Sequence, residues 1–171
     1  MNQETILDIA DLKTYFTTDQ GTVRAVDGVS LSVHRGGTLG VVGESGCGKS
    51  VTALSVMQLL PRPKAKIISG QMLYHRQDGR VIDIAALHPD GQQIRTIRGN
   101  EIAMIFQEPM TSLNPVYTIG DQIVEAVLLH QQVSKREAME RAIEMLDRVS
   151  IPNPRQRVTK YPHQFSGGMR Q

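Results

Sequence analysis

Residues 43–50 read Gly43-Glu44-Ser45-Gly46-Cys47-Gly48-Lys49-Ser50, a glycine followed by four residues and then Gly-Lys-Ser. Upstream, residues 38–42 form a short apolar run typical of a parallel strand buried on both faces. Downstream, the apolar residues Val51, Leu54, Met57 and Leu60 recur near the helical period until Pro61. The order of strand, glycine-rich loop and helix is typical of a phosphate-binding loop and predicts an α/β fold around it.

Each residue type in this loop has a chemical reason. The glycines allow a tight turn in which successive backbone N–H groups converge on phosphate oxygens. Lys49 is placed to reach the β- and γ-phosphates of a nucleotide, and the Ser50 hydroxyl is placed to hold Mg²⁺. The alternative is a glycine-rich surface turn with a solvated lysine, which the flanking strand and helix disfavour. The loop therefore predicts nucleotide binding.

The segments around the loop complete a mixed fold. Short β-like stretches before residue 34 predict an N-terminal antiparallel arm, and Asp78-Gly79 predicts the turn of a hairpin over residues 67–84. Residues 102–106 predict a second buried strand. Beyond it, Thr118 with Asp121 and Ser134 with Glu137 predict two capped helices.

The inward faces of these two helices follow from their apolar spacing: Ile119, Ile123, Ala126 and Val127 on the first, and Met139, Ala142, Ile143, Leu146 and Val149 on the second. Near residue 107 the sequence pattern changes from mixed strands and helices to helices. We therefore expect residues 1–106 to hold the β arm and nucleotide core, and residues 107–171 to begin a helical subdomain.

Composition excludes several classes of protein. The net charge of +2 argues against a general nucleic-acid surface, and the single cysteine excludes an internal disulfide framework. No apolar run reaches the roughly 20 residues that span a bilayer. The N-terminal residues 1–5 lack the basic segment of a secretory signal, and the five histidines show no metal-ligand spacing.

Two further motifs reduce the number of nucleotide-binding families to which the chain could belong. Residues 166–171 read Ser-Gly-Gly-Met-Arg-Gln at an expected helix start, and residues 105–109 read Ile-Phe-Gln-Glu-Pro at a strand end. Together with the phosphate loop, they resemble the signature motif and Q-loop of ABC-type ATPases. The segments 25–30, 107–123 and 161–171 are similar to peptide-importer ATPases, so the chain resembles the ATP-binding subunit of an oligopeptide or dipeptide ABC transporter.

The resemblance implies a role for each matching position. Gln107 would approach Mg²⁺ and the attacking water, and Lys49 would act with it in catalysis. Phe16 would stack on adenine through its ring face, with Tyr15 as the second choice and a core role as the alternative for either. The other residues implied to contact ATP or its Mg²⁺ are Gly43, Ser45, Gly46, Cys47, Gly48, Ser50, Val51, Ser166, Gly167 and Gly168.

Two of these positions carry a further expectation. Val51 stands where the family often has threonine, which removes one polar contact to the nucleotide. Cys47 lies inside the loop, so we expect it to be sensitive to alkylation without acting in catalysis.

The resemblance also implies partners and a location. Ser166, Gly167 and Gly168 would contact the γ-phosphate held by a second ATPase subunit in a head-to-tail dimer. Transmembrane permease subunits would dock near the Q-loop, and a peptide-binding protein would act indirectly. The subunit would therefore sit peripherally on the cytoplasmic face of the inner membrane.

One expected element of hydrolysis does not occur in these 171 residues: four apolar residues followed by Asp-Glu, which in this family organise Mg²⁺ and water. We therefore expect a chain that ends shortly after the signature motif, binds nucleotide weakly, hydrolyses it poorly and aggregates readily. The alternatives are a small P-loop kinase and a nucleotide-binding or interaction module without catalysis.

Overall fold

A computed structural model describes residues 4–106 and 112–170. The chain divides into two compact units, the first ending at Arg98 and the second beginning at Gly99. This division falls eight residues before the expected boundary at 106/107, which concerned functional parts and stays a prediction.

The first unit is built on a four-stranded antiparallel sheet. Strands β1 (Thr5–Thr18) and β2 (Gly21–His34) form a long hairpin, and β3 (Ala65–His75) and β4 (Val81–Asp83) form a second one, in the order β2-β1-β3-β4. Gly79 has a φ of 82°, which a glycine adopts without strain at this turn. The expected antiparallel arm and the 78–79 turn are therefore confirmed.

Two short helices complete the first unit. Helix α1 (Lys49–Val56) follows the phosphate loop, and α2 (Gln92–Ile97) follows a 3-10 turn at Ile84–Ala86. The core lies between the sheet and these elements and includes Leu12, Met72, Ile84, Ile94 and Ile97. Helix α1 starts where the sequence predicts but ends before the expected stop at Pro61, because the chain turns left-handed at Gln58, with a φ of 51°.

The described residues contain no parallel strand pairing, although the sequence predicts a parallel-sheet core. Residues 38–42 form no strand, and within the predicted strand 102–106 only Ile102 takes part in an isolated bridge; Val42 is 96% exposed and Ile105 is 92% exposed. All the paired strands in the described ranges are antiparallel. A strand buried on both faces is stable only when neighbours satisfy its backbone and cover its side chains, and no described strand pairs with either segment.

The second unit is helical. It contains α3 (Ile119–His130), α4 (Lys135–Arg148), α5 (Pro154–Arg157) and α6 (Gly167–Arg170), with a 3-10 turn at Pro162–Gln164. Both expected N-caps are confirmed, since the Thr118 hydroxyl accepts the Asp121 N–H and Ser134 forms a capping box with Glu137. No helix in the described ranges is long and apolar enough to cross a bilayer.

The core of this unit differs from the expected helix faces at two positions. Ala126 is exposed and Val149 is 69% exposed, whereas Val124 and Ala138 are buried in their place. The other expected positions of both helices are buried in this core or packed against it. The core residues are Ile119, Val124, Ala138, Ala142, Leu146, Ile151, Val158 and Phe165.

Candidate nucleotide-binding site

The glycines of the phosphate loop set its backbone path. Gly46 and Gly48 have φ values of 84° and 97°, a region that side chains other than glycine rarely adopt. Gly48 is also buried against strand β2: a Cβ built on it would lie 2.3 Å from the carbonyl oxygen of Ala25. The loop therefore turns sharply into α1 and touches the β arm at a point that has no room for a methyl group.

Lys49 is the first residue of α1, and its side chain folds back over the loop. Its ammonium donates hydrogen bonds of 2.7 Å to the carbonyl oxygens of Gly43 and Glu44, and lies 3.6 Å from the Cys47 sulfur. These contacts close the loop around one positive charge. Because carbonyls are weaker partners for an ammonium than phosphate oxygens, the lysine is held in place and can still exchange partners.

The donor groups around this charge suit a polyphosphate. In the described part of the chain, the backbone N–H groups of Ser45, Gly46, Gly48 and Lys49 donate to no protein acceptor, and the Ser50 hydroxyl has no protein partner. The N–H groups of the first turn of α1 add the positive end of the helix. The residues present therefore fit a nucleotide phosphate, with Ser50 free to bind a metal ion that accompanies it.

Cys47 packs inside the loop while remaining exposed as a free thiol. A Cβ added to Gly43 would meet its sulfur at 2.6 Å, so the two residues share one small space. Any group added to the sulfur would enter the space that the loop encloses. The expected sensitivity of Cys47 to alkylation stays a prediction, and the exposure of its thiol is consistent with it.

The two aromatic candidates at the end of β1 differ in their surroundings. The Tyr15 hydroxyl donates a 2.7 Å hydrogen bond to Asp27, and the Arg24 guanidinium lies 5.6 Å from the Tyr15 ring centroid. The hydrogen bond to Asp27 raises the pKa of Tyr15 and lowers that of Asp27. Phe16 is half-buried and has no such ring contact among the described residues. Tyr15 is therefore bound to Asp27 and Arg24 within the β arm, whereas the ring of Phe16 could still stack on another ring.

The second unit places the signature residues at a helix start. Ser166, Gly167 and Gly168 are exposed, α6 begins at Gly167, and the Ser166 carbonyl accepts the Arg170 N–H at 3.1 Å. Phe165, directly before them, is buried in the helical core, with the Arg157 guanidinium 5.7 Å from its ring centroid. The expected helix start is confirmed; the contact with a second subunit stays a prediction.

Two candidate residues remain, Gln107 and Val51. Gln107 lies outside the described residues. Val51 is half-buried in α1, and its carbonyl accepts the Ser55 hydroxyl at 2.7 Å.

The sequence does not predict the buried polar residues that connect α1 and the residues after it to the rest of the first unit. Ser55 and Thr14 are both fully buried, and their hydroxyl oxygens are 2.9 Å apart, which ties α1 to β1. Gln58 donates through its amide to the carbonyl of Ile84 at 2.7 Å. A serine in an otherwise apolar helical stripe was the available signal, because a buried hydroxyl needs a partner.

Comparison with known proteins identifies the family. Residues 26–171 match the ABC transporter family, a range that holds both the phosphate loop and the signature residues. The chain is a member of the ABC transporter family. The fold class expected from the sequence is thereby confirmed at the level of the family.

Two similar proteins indicate which members of the family this chain resembles. A putative peptide import ATP-binding protein of Brucella abortus is 52% identical over 171 residues, which are 100% of this chain and 50% of that protein. The dipeptide transport ATP-binding protein DppD of Bacillus subtilis is 49% identical over 169 residues, 98% of this chain and 48% of that protein. The resemblance to peptide-importer ATPases is confirmed, and the chain spans about half the length of these relatives.

A solved structure supports the fold. The ATP-binding cassette MJ0796, determined as a dimer in a post-hydrolysis state bound to ADP and Pi, matches with a TM-score of 0.77 and 21% identity. The match covers 96% of this ABC family chain and 65% of that one. At this identity the likeness establishes the fold alone.

Proposed function

We propose that this chain provides the nucleotide-binding part of an ATP-binding subunit that powers peptide import. One observation carries the proposal: a loop of free backbone N–H groups, closed by Lys49 at the start of α1, in a chain about half identical to peptide and dipeptide import ATP-binding proteins. That loop has the donors a polyphosphate requires, and the relatives supply the substrate class.

The phosphate loop would bind ATP by exchanging its internal partners. Lys49 would leave the carbonyls of Gly43 and Glu44 for phosphate oxygens, while the free N–H groups of the loop would donate hydrogen bonds to the remaining phosphate oxygens. Ser50 would hold Mg²⁺ through its hydroxyl, and Val51 would add no polar contact. Hydrolysis of the bound ATP, in which water would take the γ-phosphoryl group and ADP would leave, would drive transport.

The remaining roles depend on residues around the loop. Phe16 would cover the adenine with its ring, because Tyr15 is already bonded to Asp27. Gln107 would approach the metal and the attacking water. Ser166 with the two glycines after it would face the γ-phosphate bound by a second ATPase subunit, since they are exposed at a helix start.

The partners follow from the same proposal. A head-to-tail pair of ATPase subunits would act on transmembrane permease subunits, and a peptide-binding protein would deliver the peptide. The subunit would be held at the cytoplasmic face of the inner membrane by the permeases.

Nucleotide binding is tested by titrating the 171-residue chain with a fluorescent ATP analogue in the presence of Mg²⁺. We expect saturable binding that Lys49→Ala weakens by a factor of about 100, since hydrogen bonds to charged groups contribute roughly 1.5–3 kcal/mol each. Lys64→Ala is the matched control, because Lys64 is an exposed lysine of the same unit outside the loop. Equal affinity of the wild-type chain and the Lys49→Ala variant would refute the site.

Peptide import is tested in cells. Disruption of the gene should abolish uptake of a radiolabelled dipeptide, and the wild-type gene should restore it while the Lys49→Ala gene should not. Uptake that persists after disruption, in a strain without a second peptide importer, would exclude the substrate class while leaving the nucleotide site in place.

The alternatives have separate outcomes. The family match across residues 26–171 removes support for a small P-loop kinase. A nucleotide-binding module without catalysis predicts saturable binding by the 171-residue chain and no restoration of dipeptide uptake by the wild-type gene. Hydrolysis that is lost in the Lys49→Ala variant would exclude that module.

A further inference from the structure

The end of α1 furthest from the phosphate loop is closed by an arginine. Just beyond the helix, the Leu59 N–H donates back to the Leu54 carbonyl at 2.9 Å and the Gln58 N–H donates to the Ser55 carbonyl at 3.0 Å, with Gln58 left-handed. With the bond from the Met57 N–H to the Ala53 carbonyl at 3.1 Å, this pattern satisfies three carbonyls of the last turn and leaves those of Met57 and Gln58 to other partners.

Arg98 supplies these partners. Its Nε donates to the Met57 carbonyl and a terminal nitrogen donates to the Gln58 carbonyl, both at 2.6 Å. The two bonds use the fixed fork of the guanidinium, so they restrain both the position and the direction of the helix end. A cation at this end also complements the negative pole of the helix dipole.

Keeping the positive charge of Arg98 at this partly buried position costs desolvation energy. Burial lowers the pKa of its guanidinium, and the neighbouring cations of Arg62 and Arg95 lower it further, whereas Asp90 raises it. An arginine nevertheless stays charged at physiological pH. The two hydrogen bonds from Arg98 to main-chain carbonyls at the end of α1 offset part of this cost.

Two other polar contacts hold this part of the chain: the bond between the Ser55 hydroxyl of α1 and the Thr14 hydroxyl, and the Gln58 amide that donates to the Ile84 carbonyl beyond the helix end. Ser55 is the only fully buried residue within the helix, and the loop residues 43–47 are exposed. Eight residues of helix span about 12 Å, so a tilt of about 5° at the Arg98 end would move Lys49 by about 1 Å. Displacements of that size matter at a site that binds phosphate through several converging donors.

We propose that Arg98 is a positioning residue for the phosphate loop: its guanidinium anchors the far end of α1 and so sets where Lys49 and Ser50 stand. This inference rests on the proposed nucleotide binding. Arg98 acts through the helix without touching the nucleotide.

The test compares Arg98→Met and Arg98→Lys with Arg95→Met in the 171-residue chain. Arg95 is the matched control, because it is an exposed arginine three residues earlier on α2. Two measurements are made on each variant: affinity for a fluorescent ATP analogue, and hydrogen exchange of the backbone amides of residues 52–57 against those of β1 and β3.

We expect Arg98→Met to weaken nucleotide affinity about tenfold, as when only a tenth of the molecules keep a competent loop. Exchange should accelerate at residues 52–57 and stay unchanged in β1 and β3. Arg98→Lys should lie between the wild type and Arg98→Met, because an ammonium keeps the charge but cannot restrain both carbonyls as a fork. Arg95→Met should match the wild type in both measurements.

Three results would overturn the inference: unchanged affinity in Arg98→Met, exchange that accelerates equally in β1 and β3, or no change at residues 52–57. The second would show a general loss of stability, and Arg98→Lys keeps the test usable if Arg98→Met does not fold. If the wild-type chain binds no nucleotide, the proposed function fails, and the inference is rejected with it as a statement about phosphate binding. In that case the exchange data still show whether Arg98 anchors α1.

Discussion

Replacing Gly48 with alanine tests whether the loop is held by its contact with the β arm. Two costs follow from the structure. A residue with a side chain at a φ of 97° is strained by about 1–3 kcal/mol. The added Cβ would also lie 2.3 Å from the carbonyl oxygen of Ala25, and the loop or β2 would have to move by several tenths of an ångström. Overpacking of this kind costs about 1–3 kcal/mol more.

Gly46→Ala separates these two costs. Gly46 lies in the same loop with a φ of 84°, but a Cβ there meets nothing within 4 Å. We expect Gly46→Ala to lower the free energy of unfolding by about 1–3 kcal/mol and Gly48→Ala by about 2–6 kcal/mol. The larger value would remove much of the stability of an ordinary domain.

Urea denaturation followed by circular dichroism measures both variants, and titration with a fluorescent ATP analogue reports the loop itself. Gly48→Ala should lose nucleotide binding, whereas Gly46→Ala should retain part of it. If the two variants were equally stable within about 0.5 kcal/mol, the contact between Gly48 and Ala25 would contribute nothing, and the reasoning would be refuted.

Two further predictions concern the first unit. Ser55→Ala should lower the free energy of unfolding by about 1–3 kcal/mol, because it leaves the buried Thr14 hydroxyl without a partner. Combining Ser55→Ala with Thr14→Val should recover part of that loss in the same denaturation assay, and an additive loss would count against the pair. The hydrogen bond from Arg80 lowers the pKa of the Asp78 carboxyl to about 2, so its contribution to stability is complete above the ordinary value near 4 and disappears as the pH falls through about 2. Arg80→Gln should raise the pKa of Asp78 toward its ordinary value in an NMR titration, and an unchanged pKa would show that the guanidinium is not its cause.

Local signals were predictable from the sequence because they are satisfied by residues close in the chain. The cap of α4 needs only Ser134 and Glu137, and the hairpin turn needs only Asp78 and Gly79. The phosphate loop belongs to the same class, since its glycines and Lys49 act within eight residues. These features were identified without knowing what packs against them.

Features that depend on distant partners were predicted less well. The apolar run at 38–42 has the composition of a buried strand, but composition does not supply a neighbouring strand, and Val42 is exposed. The early end of α1 depends on a left-handed Gln58 whose side chain bonds to Ile84, 26 residues away. The role of Arg98 depends on carbonyls 40 and 41 residues earlier, and no local pattern indicates them.

The close approach of the phosphate loop to the β arm also affects how the sequence can drift. The atom that crowds Gly48 is the main-chain oxygen of Ala25, which every amino acid carries. Position 25 can therefore change its side chain and keep the contact, whereas position 48 can accept none. Random substitution at both sites should leave many viable residues at 25 and glycine alone at 48, so the constraint between them runs in one direction and would escape any search for pairs that change together.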